Sequence, residues 1–313
     1  MDHRPLGNSG ISIAPLVLGG NVFGWSADEA ASFDVLDAFS AEGLQCIDTA
    51  DTYSGWVPGN EGGESETLIG RWLRKRGKRD QVVIATKVGK WAKRRGLSPS
   101  NIAAACDESL KRLGVERIDL YFAHEDDPAV PIEDTLGAFS RLIEAGKVRA
   151  IGASNYSAAR LADALDVSRK HRLPRYEVLQ PEYNLVSRGY EAELEPLVRR
   201  ERIGVVCYYA LASGFLTGKY RDERDLSKSA ARGGAVSKYL DARGKRVLSA
   251  LDDVAAAHRA TPAQVALAWL IAKPTITAPI ASATRADQVR ETAKAIRLEL
   301  TAAEIAVLDA ASV

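Results

Sequence analysis

Eight short runs of apolar, largely β-branched residues, each parted from the next by a longer stretch, limit the folds open to this chain more than any other feature of its sequence. The runs lie at 15–18, 45–48, 82–87, 118–124, 148–154, 178–183, 205–209 and 276–280. Their near-continuous apolar character is that of parallel strands covered on both faces. Helices are predicted between them at 27–41, 67–74, 102–113, 132–144, 158–171 and 192–200; in the first, Ala30, Phe33, Leu36 and Phe39 fall at core-facing spacing. Ser26 with Glu29, Thr261 with Gln264 and Thr301 with Glu304 have capping-box spacing, and Ser98-Pro99 offers a cap followed by proline at the first helical position. Right-handed strand–helix–strand units repeated eight times close most simply into a (β/α)8 TIM barrel, an α/β fold, with a doubly wound open sheet as the alternative.

Two stretches break the alternation. Residues 4–17 hold the turn cluster Gly7-Asn8-Ser9-Gly10 between short strand-like runs, which predicts a hairpin plugging the bottom of the barrel. Residues 212–245, after the seventh run, form a long insertion rich in Gly, Ser and Arg; loops of that length in compact domains are usually functional or mobile. No linker or internal repeat divides the chain, so residues 1–313 are expected to form a single barrel domain.

Composition removes several function classes. The net charge of +1 is not the basic excess of a nucleic-acid protein, and the dense run from Arg71 to Arg79 reads as a polar helix face, with surface anion binding as the alternative. Cys46, Cys106 and Cys207 are far apart and odd in number, which predicts a reduced, cytoplasmic protein rather than a disulfide framework or structural zinc site. Met1-Asp2-His3-Arg4-Pro5 lacks the apolar stretch of a signal peptide, and no segment approaches the ~20 apolar residues that span a bilayer.

In a barrel of this kind reactive groups gather at the carboxyl ends of the strands. Asp48 ends the second run, Lys87 the third and His124 the fourth, with Tyr53 in the loop leaving the second. Lysine closing an apolar strand needs a charge partner, and Asp48, one strand over, is the nearest candidate. Taken singly, Asp48 could cap its turn, Tyr53 pack in a loop, Lys87 be a solvated strand end and His124 a rim residue. Their convergence on one face is what points to chemistry. Trp25, Trp56 and Trp91 also fall in loops after strand ends and would make an aromatic substrate pocket or pack the rim, whereas Trp72 and Trp269 sit in helical stretches and are expected in the core.

Over nearly its whole length the sequence resembles the aldo-keto reductase family. Ile47-Asp48-Thr49-Ala50-Asp51-Thr52-Tyr53, Ala85-Thr86-Lys87, Tyr121-Phe122-Ala123-His124 and Gly146-Lys147-Val148-Arg149-Ala150-Ile151-Gly152-Ala153-Ser154-Asn155 carry the resemblance, in the order and spacing of the family's segments. It implies hydride transfer from a nicotinamide coenzyme to the carbonyl carbon of an aldehyde or ketone, with Asp48, Tyr53, Lys87 and His124 delivering the proton. Tyr53 would be general acid in reduction and base in oxidation; Lys87, held by Asp48, would lower its pKa; His124 would orient the substrate oxygen.

The resemblance also implies a coenzyme site. The chain has no Gly-x-Gly-x-x-Gly fingerprint after its first strand, so the nucleotide would lie across strand ends and loops. Ser154, Asn155 and Gln180 would bind the nicotinamide carboxamide, Tyr208 stack on its ring, and Gly20 and Asn21 approach from the other side. The loop Leu211-Ala212-Ser213-Gly214-Phe215-Leu216-Thr217-Gly218-Lys219-Tyr220, through Leu211, Ser213, Gly214 and Lys219, would hold the pyrophosphate, with Arg232 closing over it. Ser282, Thr284, Arg285, Gln288 and Thr292 would meet the adenosine end, although Ser282, Thr284 and Thr292 stand where relatives more often carry glycine, a basic residue and asparagine. Arg285 could pair with a 2′-phosphate, which makes NADPH the expected coenzyme, with NADH open. Tyr208-Tyr209-Ala210-Leu211 likewise departs from the more frequent Tyr-Ser-Pro-Leu.

Three other functions fit parts of the sequence. A Schiff-base aldolase would use a reactive strand-end lysine such as Lys87. A metal-dependent hydrolase is disfavoured because His3, His124, His171 and His258 form no ligand cluster. A cofactor-sensing regulatory subunit, resembling the potassium-channel β subunits on the same fold, would keep all four polar residues. No nucleic-acid or membrane partner is expected, and the sequence does not fix an oligomeric state.

Overall fold

The computed structural model describes residues 2–77, 79–229 and 231–313; Met1, Lys78 of the basic run and Ala230 of the long insertion lie outside them. The first elements are an antiparallel pair, β1 (Arg4–Pro5) and β2 (Ser12–Ile13). The barrel strands are β3 (Val17–Gly19), β4 (Cys46–Asp48), β5 (Val83–Val88), β6 (Ile118–Ala123), β7 (Val148–Ser154), β8 (Tyr176–Gln180), β9 (Gly204–Cys207) and β10 (Ala278–Ala281). All eight pair in parallel and close in the order β10-β3-β4-β5-β6-β7-β8-β9. The open-sheet alternative is thereby excluded.

Helices α1 (Glu29–Ala41), α2 (Glu64–Arg76), α3 (Pro99–Leu113), α4 (Ile132–Glu144), α5 (Ala158–His171) and α6 (Tyr190–Glu201) cross between successive strands. After β9 come α7 (Gly233–Val236), α8 (Ala242–His258) and α9 (Pro262–Ala272), and after β10 come α10 (Ala286–Ala293) and α11 (Ala302–Ala311). Thr261 and Thr301 close capping boxes with Gln264 and Glu304, and Ser98 accepts from the Asn101 amide, as their spacing predicts. The start of α1 differs. Asp28, not Ser26, caps it through the Ala31 amide, because the Ser26 amide is drawn into a turn on the Val22 carbonyl.

Strand ends shift for local reasons. β8 stops at Gln180 instead of running to residue 183, because Pro181 has no N–H to continue the ladder. β9 stops at Cys207, and two residues on Tyr209 has left the extended region with φ of 53°. The long insertion is no free loop. It winds through short helical turns at Ala212–Thr217, Glu223–Lys228 and Ser237–Tyr239, and buries Phe215, Leu216, Tyr220 and Val236 completely.

Side chains fill the barrel. Val17, Cys46, Ala85, Leu120, Phe122, Ala150, Val178, Val206, Ala278 and Ile280 pack inside it with Leu6, Ile11 and Ile13 of the hairpin, while a second core, with Trp72 and Trp269 at zero exposure, lies between strands and helices. The hairpin seats against the amino ends of β8 and β9. Gly7 takes φ of 57° there, and a Cβ on it would come within 2.3 Å of the Glu177 carbonyl oxygen and 3.0 Å of the Gly204 nitrogen. Gly7→Ala should therefore lower stability by ~1–3 kcal/mol, read as a lower midpoint in urea with an unchanged slope.

Candidate active site

The carboxyl ends of β4, β5, β6 and β8 converge on one buried lysine. Lys87 has zero exposure, and its Nζ donates to Asp48 Oδ2 at 2.7 Å, the Thr49 carbonyl at 2.7 Å and the Tyr53 hydroxyl at 2.8 Å. All three ammonium protons are thus used. Asp48 accepts on its other oxygen from Gln180 Nε2 at 2.8 Å, and the Tyr53 hydroxyl donates to Asp48 Oδ2 at 3.2 Å. His124 lies against Tyr53 with ring centres 6.1 Å apart. The four residues at the strand ends are brought together, and Gln180 joins them by binding Asp48.

Burial dominates the electrostatics. It pulls the Lys87 ammonium below its ordinary range, and Asp48 opposes that fall. Burial, then the Lys87 and Lys90 charges, drive His124 well below its usual pKa, so its ring is neutral at pH 7. The expected lowering of Tyr53 is not found. Burial, then the adjoining Asp48 carboxylate, push the phenol well above its ordinary value. Tyr53 therefore stands as a protonated acid.

Neighbouring strand ends carry a row of polar groups. The Ser154 hydroxyl donates to the Gln180 carbonyl at 2.9 Å; Asn155, at φ of 58°, donates to the His124 carbonyl at 2.8 Å and accepts from the Tyr208 hydroxyl at 2.8 Å. Across the β10–β3 seam the Ser282 hydroxyl donates to Asn21 Oδ1 at 2.6 Å. Gly20 lies beneath, where a Cβ would come within 3.0 Å of the Asp48 carbonyl oxygen.

Beyond β9 the backbone turns left-handed at Tyr209, Ala212, Ser213 and Gly214, with φ of 53°, 47°, 58° and 96°. The Leu211 carbonyl accepts the Gly214 and Leu216 amides inside this turn. Two cations border it, Lys219 and Arg232, neither of which has a carboxylate partner among the described residues. Farther out, the Gln288 carboxamide accepts from the Thr284 amide at 2.9 Å, the Thr292 hydroxyl bonds back to the Gln288 carbonyl at 2.9 Å, and Arg285 makes a two-point pair with Asp287 at 2.9 and 3.0 Å.

The three loop tryptophans separate. Trp25 packs edge-on to Trp56 at 5.6 Å, and Trp56 packs on Tyr53 at 6.2 Å, so these two border the site. The Arg232 guanidinium covers the outer face of Trp25 at 4.9 Å. Trp91 instead donates to the Glu61 carbonyl at 2.7 Å and lies between Arg94 and Arg112, where it pins the loop that carries Trp56. Sequence reading missed Tyr209, 45% exposed beside Tyr208, and the buried carboxyls Asp51 and Glu66. Asp51 stood inside the first quoted motif; Glu66 left no signal in helical spacing.

The chain belongs to the aldo-keto reductase family: the family model described as Aldo/keto reductase family matches residues 15–313. It is 34% identical to "Uncharacterized oxidoreductase YrpG" of Bacillus subtilis (strain 168), over 96% of this chain and 92% of that protein. It is 31% identical to "Protein tas" of Escherichia coli (strain K12), over 99% and 97% of the two chains. Identity is 32% to "Probable voltage-gated potassium channel subunit beta" of Arabidopsis thaliana, over 95% and 91%. The protein is thus an oxidoreductase of the aldo-keto reductase kind, and among its described residues no helix is long and apolar enough to cross a membrane and no group of side chains could hold a metal ion.

Removing one partner of a buried ion pair costs ~3–5 kcal/mol, because the other charge is left uncompensated. Asp48→Asn should lower stability on that scale, and adding Lys87→Met should restore much of it. A double-mutant cycle in denaturant measures the coupling.

Proposed function

We propose that this protein is an NADPH-dependent reductase of aldehydes or ketones in which Tyr53 is the general acid. The observation that carries the reading is the Lys87 ammonium bonded at once to Asp48 and to the Tyr53 hydroxyl, beside a neutral His124. Aldo-keto reductase membership supports a nicotinamide coenzyme, and the donor set fits one. Ser154 and Asn155 offer amide and hydroxyl groups for the carboxamide, with Gln180 beneath them, and Tyr208 supplies the ring face. The left-handed turn at 209–214 presents backbone to a pyrophosphate with Lys219 and Arg232 as counter-charges. When bound, the coenzyme supplies the hydride.

The chain's own residues handle the proton. The Tyr53 O–H turns from Asp48 toward the carbonyl oxygen and gives up its proton. Lys87, fixed by Asp48 and the Thr49 carbonyl, stabilises the phenolate left behind. His124, uncharged, orients the oxygen by hydrogen bonding. A tyrosine held above its ordinary pKa stays protonated at neutral pH, the form that reduction requires. Trp25, Trp56 and Tyr209 suit a carbonyl compound with an apolar or aromatic portion. Three buried, unpaired cysteines fit a reducing compartment such as the cytoplasm.

The aldolase reading suffers because every Lys87 proton is engaged and its charge is paired with Asp48. The regulatory reading draws support from the relatives named as potassium channel subunit beta, and turnover separates the two.

An aldehyde and ketone panel scored in parallel with NADPH and NADH tests the proposal; tight NADPH binding with no turnover would move it to the regulatory reading. Tyr53→Phe should remove most turnover, with a loss on the order of 10²–10⁴-fold for a general acid, and leave coenzyme affinity nearly intact. Near-normal turnover in that variant would sink the assignment. Arg285 is paired with the exposed Asp287, which competes with a 2′-phosphate for its guanidinium. Asp287→Asn should lower KM for NADPH by up to about fivefold and leave KM for NADH unchanged.

A further inference from the structure

The left-handed turn after β9 has a brace outside the site, in the loop that leaves β8. Pairing between the two strands runs one step past their ends. The Tyr208 amide donates to the Pro181 carbonyl at 3.0 Å, and the Tyr183 amide to the Tyr208 carbonyl at 3.4 Å. At Tyr209 the pairing stops, because its φ of 53° turns the chain left-handed. Consecutive residues of a strand point to opposite faces, but this turn sets the rings of Tyr208 and Tyr209 edge-on with centres 5.1 Å apart. A residue with a large side chain avoids such a backbone unless something holds it there.

Asn184 is placed to hold it. It is fully buried, and its Nδ2 donates to the Tyr209 carbonyl at 2.9 Å. That carbonyl also accepts the Ala212 amide at 2.7 Å, the bond that closes the first bend of the turn. The other end of the carboxamide is committed. Oδ1 accepts the Val186 amide at 2.9 Å, which leaves the amino group to face Tyr209. Backbone bonds in both directions with Ser187, each of 3.1 Å, fix the Asn184 main chain. The loop itself is tied down from outside: Arg243 of α8 donates to the Val186 carbonyl at 3.0 Å, and Arg188 pairs with Asp309 of α11 at 3.1 Å.

We propose that Asn184 is a positioning residue for the coenzyme: by holding the Tyr209 carbonyl it keeps the left-handed turn at 209–214 formed before the coenzyme arrives. This rests on the reading of that turn as the pyrophosphate site. A preformed turn spares the coenzyme the cost of ordering it. Without the brace the turn populates open forms in the free protein, and apparent affinity falls with the fraction that stays closed.

The test is a double-mutant cycle on NADPH affinity, measured by titration calorimetry and needing no turnover. Glycine takes positive φ without strain, so Tyr209→Gly frees the turn from its need of a brace. With Tyr209 in place, Asn184→Ala should raise the Kd for NADPH about five- to tenfold, the scale of one lost hydrogen bond. In the Tyr209→Gly background the same change should raise Kd less than about twofold. Equal weakening in both backgrounds would mean that Asn184 acts on the fold at large. No weakening in the first would mean that the turn holds itself. Either result overturns the proposal. Should Asn184→Ala fold poorly, Asn184→Asp takes its place with the same expectations, since it keeps the size and the acceptor for the Val186 amide. Lys219→Ala tells two failures apart. If it weakens NADPH binding while the Asn184 change does not, the brace alone is wrong. If neither change matters, the turn is not the pyrophosphate site, and the proposal falls with that reading.

Discussion

A lysine ammonium closed off from water inside a barrel is an expense that the surrounding structure has to offset. Lys87 sets that demand, and Asp48, the Thr49 carbonyl and the Tyr53 hydroxyl answer it. Each answer comes from the same few residues at the end of β4, which fixes the path of the chain leaving that strand. Gln180, from the far side of the barrel, then holds Asp48 from behind. Register across β4, β5 and β8 is therefore tied to the chemistry. A slip of one residue would turn Lys87 out of the barrel and leave Asp48 without its cation.

Three buried carboxyls lie near this lysine in different states of engagement. Asp48 is in contact and fully engaged, Glu66 is satisfied by Thr86 and Arg112, and the buried Asp51 carboxyl has no hydrogen-bond partner among the described residues. Burial raises the tyrosine and lowers the histidine, so the site holds an acid and a neutral donor side by side. Lys87 is bonded to both the Asp48 carboxylate and the Tyr53 hydroxyl, a position from which its charge acts on either.

Much of this was legible in the sequence. The eight apolar runs gave the barrel, and a lysine ending one of them, with an aspartate ending its neighbour, pointed to the buried pair that the fold brings together. What escaped notice has physical causes. Pro181 shortened β8 because a missing N–H outweighs an apolar pattern, and Ser26 lost its cap to a turn three-dimensional enough to be invisible in spacing. Trp91 looked equivalent to Trp25 and Trp56, yet the Glu61 carbonyl and Arg112, both distant in sequence, decided its place. Glu66 resembled any other charge in a polar helix turn; only packing of α2 against α3 and β5 revealed that it is fully buried.

The way the hairpin fits also bears on how the molecule is made. Arg4 donates to the Ile271 and Ile276 carbonyls, and β3 pairs with β10, so the earliest residues find partners near the end of the chain. On a ribosome those partners do not exist until most of the polypeptide has emerged. The first hairpin and β3 must wait with Leu6, Ile13 and Leu18 uncovered, and closure comes as a late, non-local step. The seam between β3 and β10 can thus be sealed only after β10 has been made, and Asn21 and Ser282, which straddle it, come together only then.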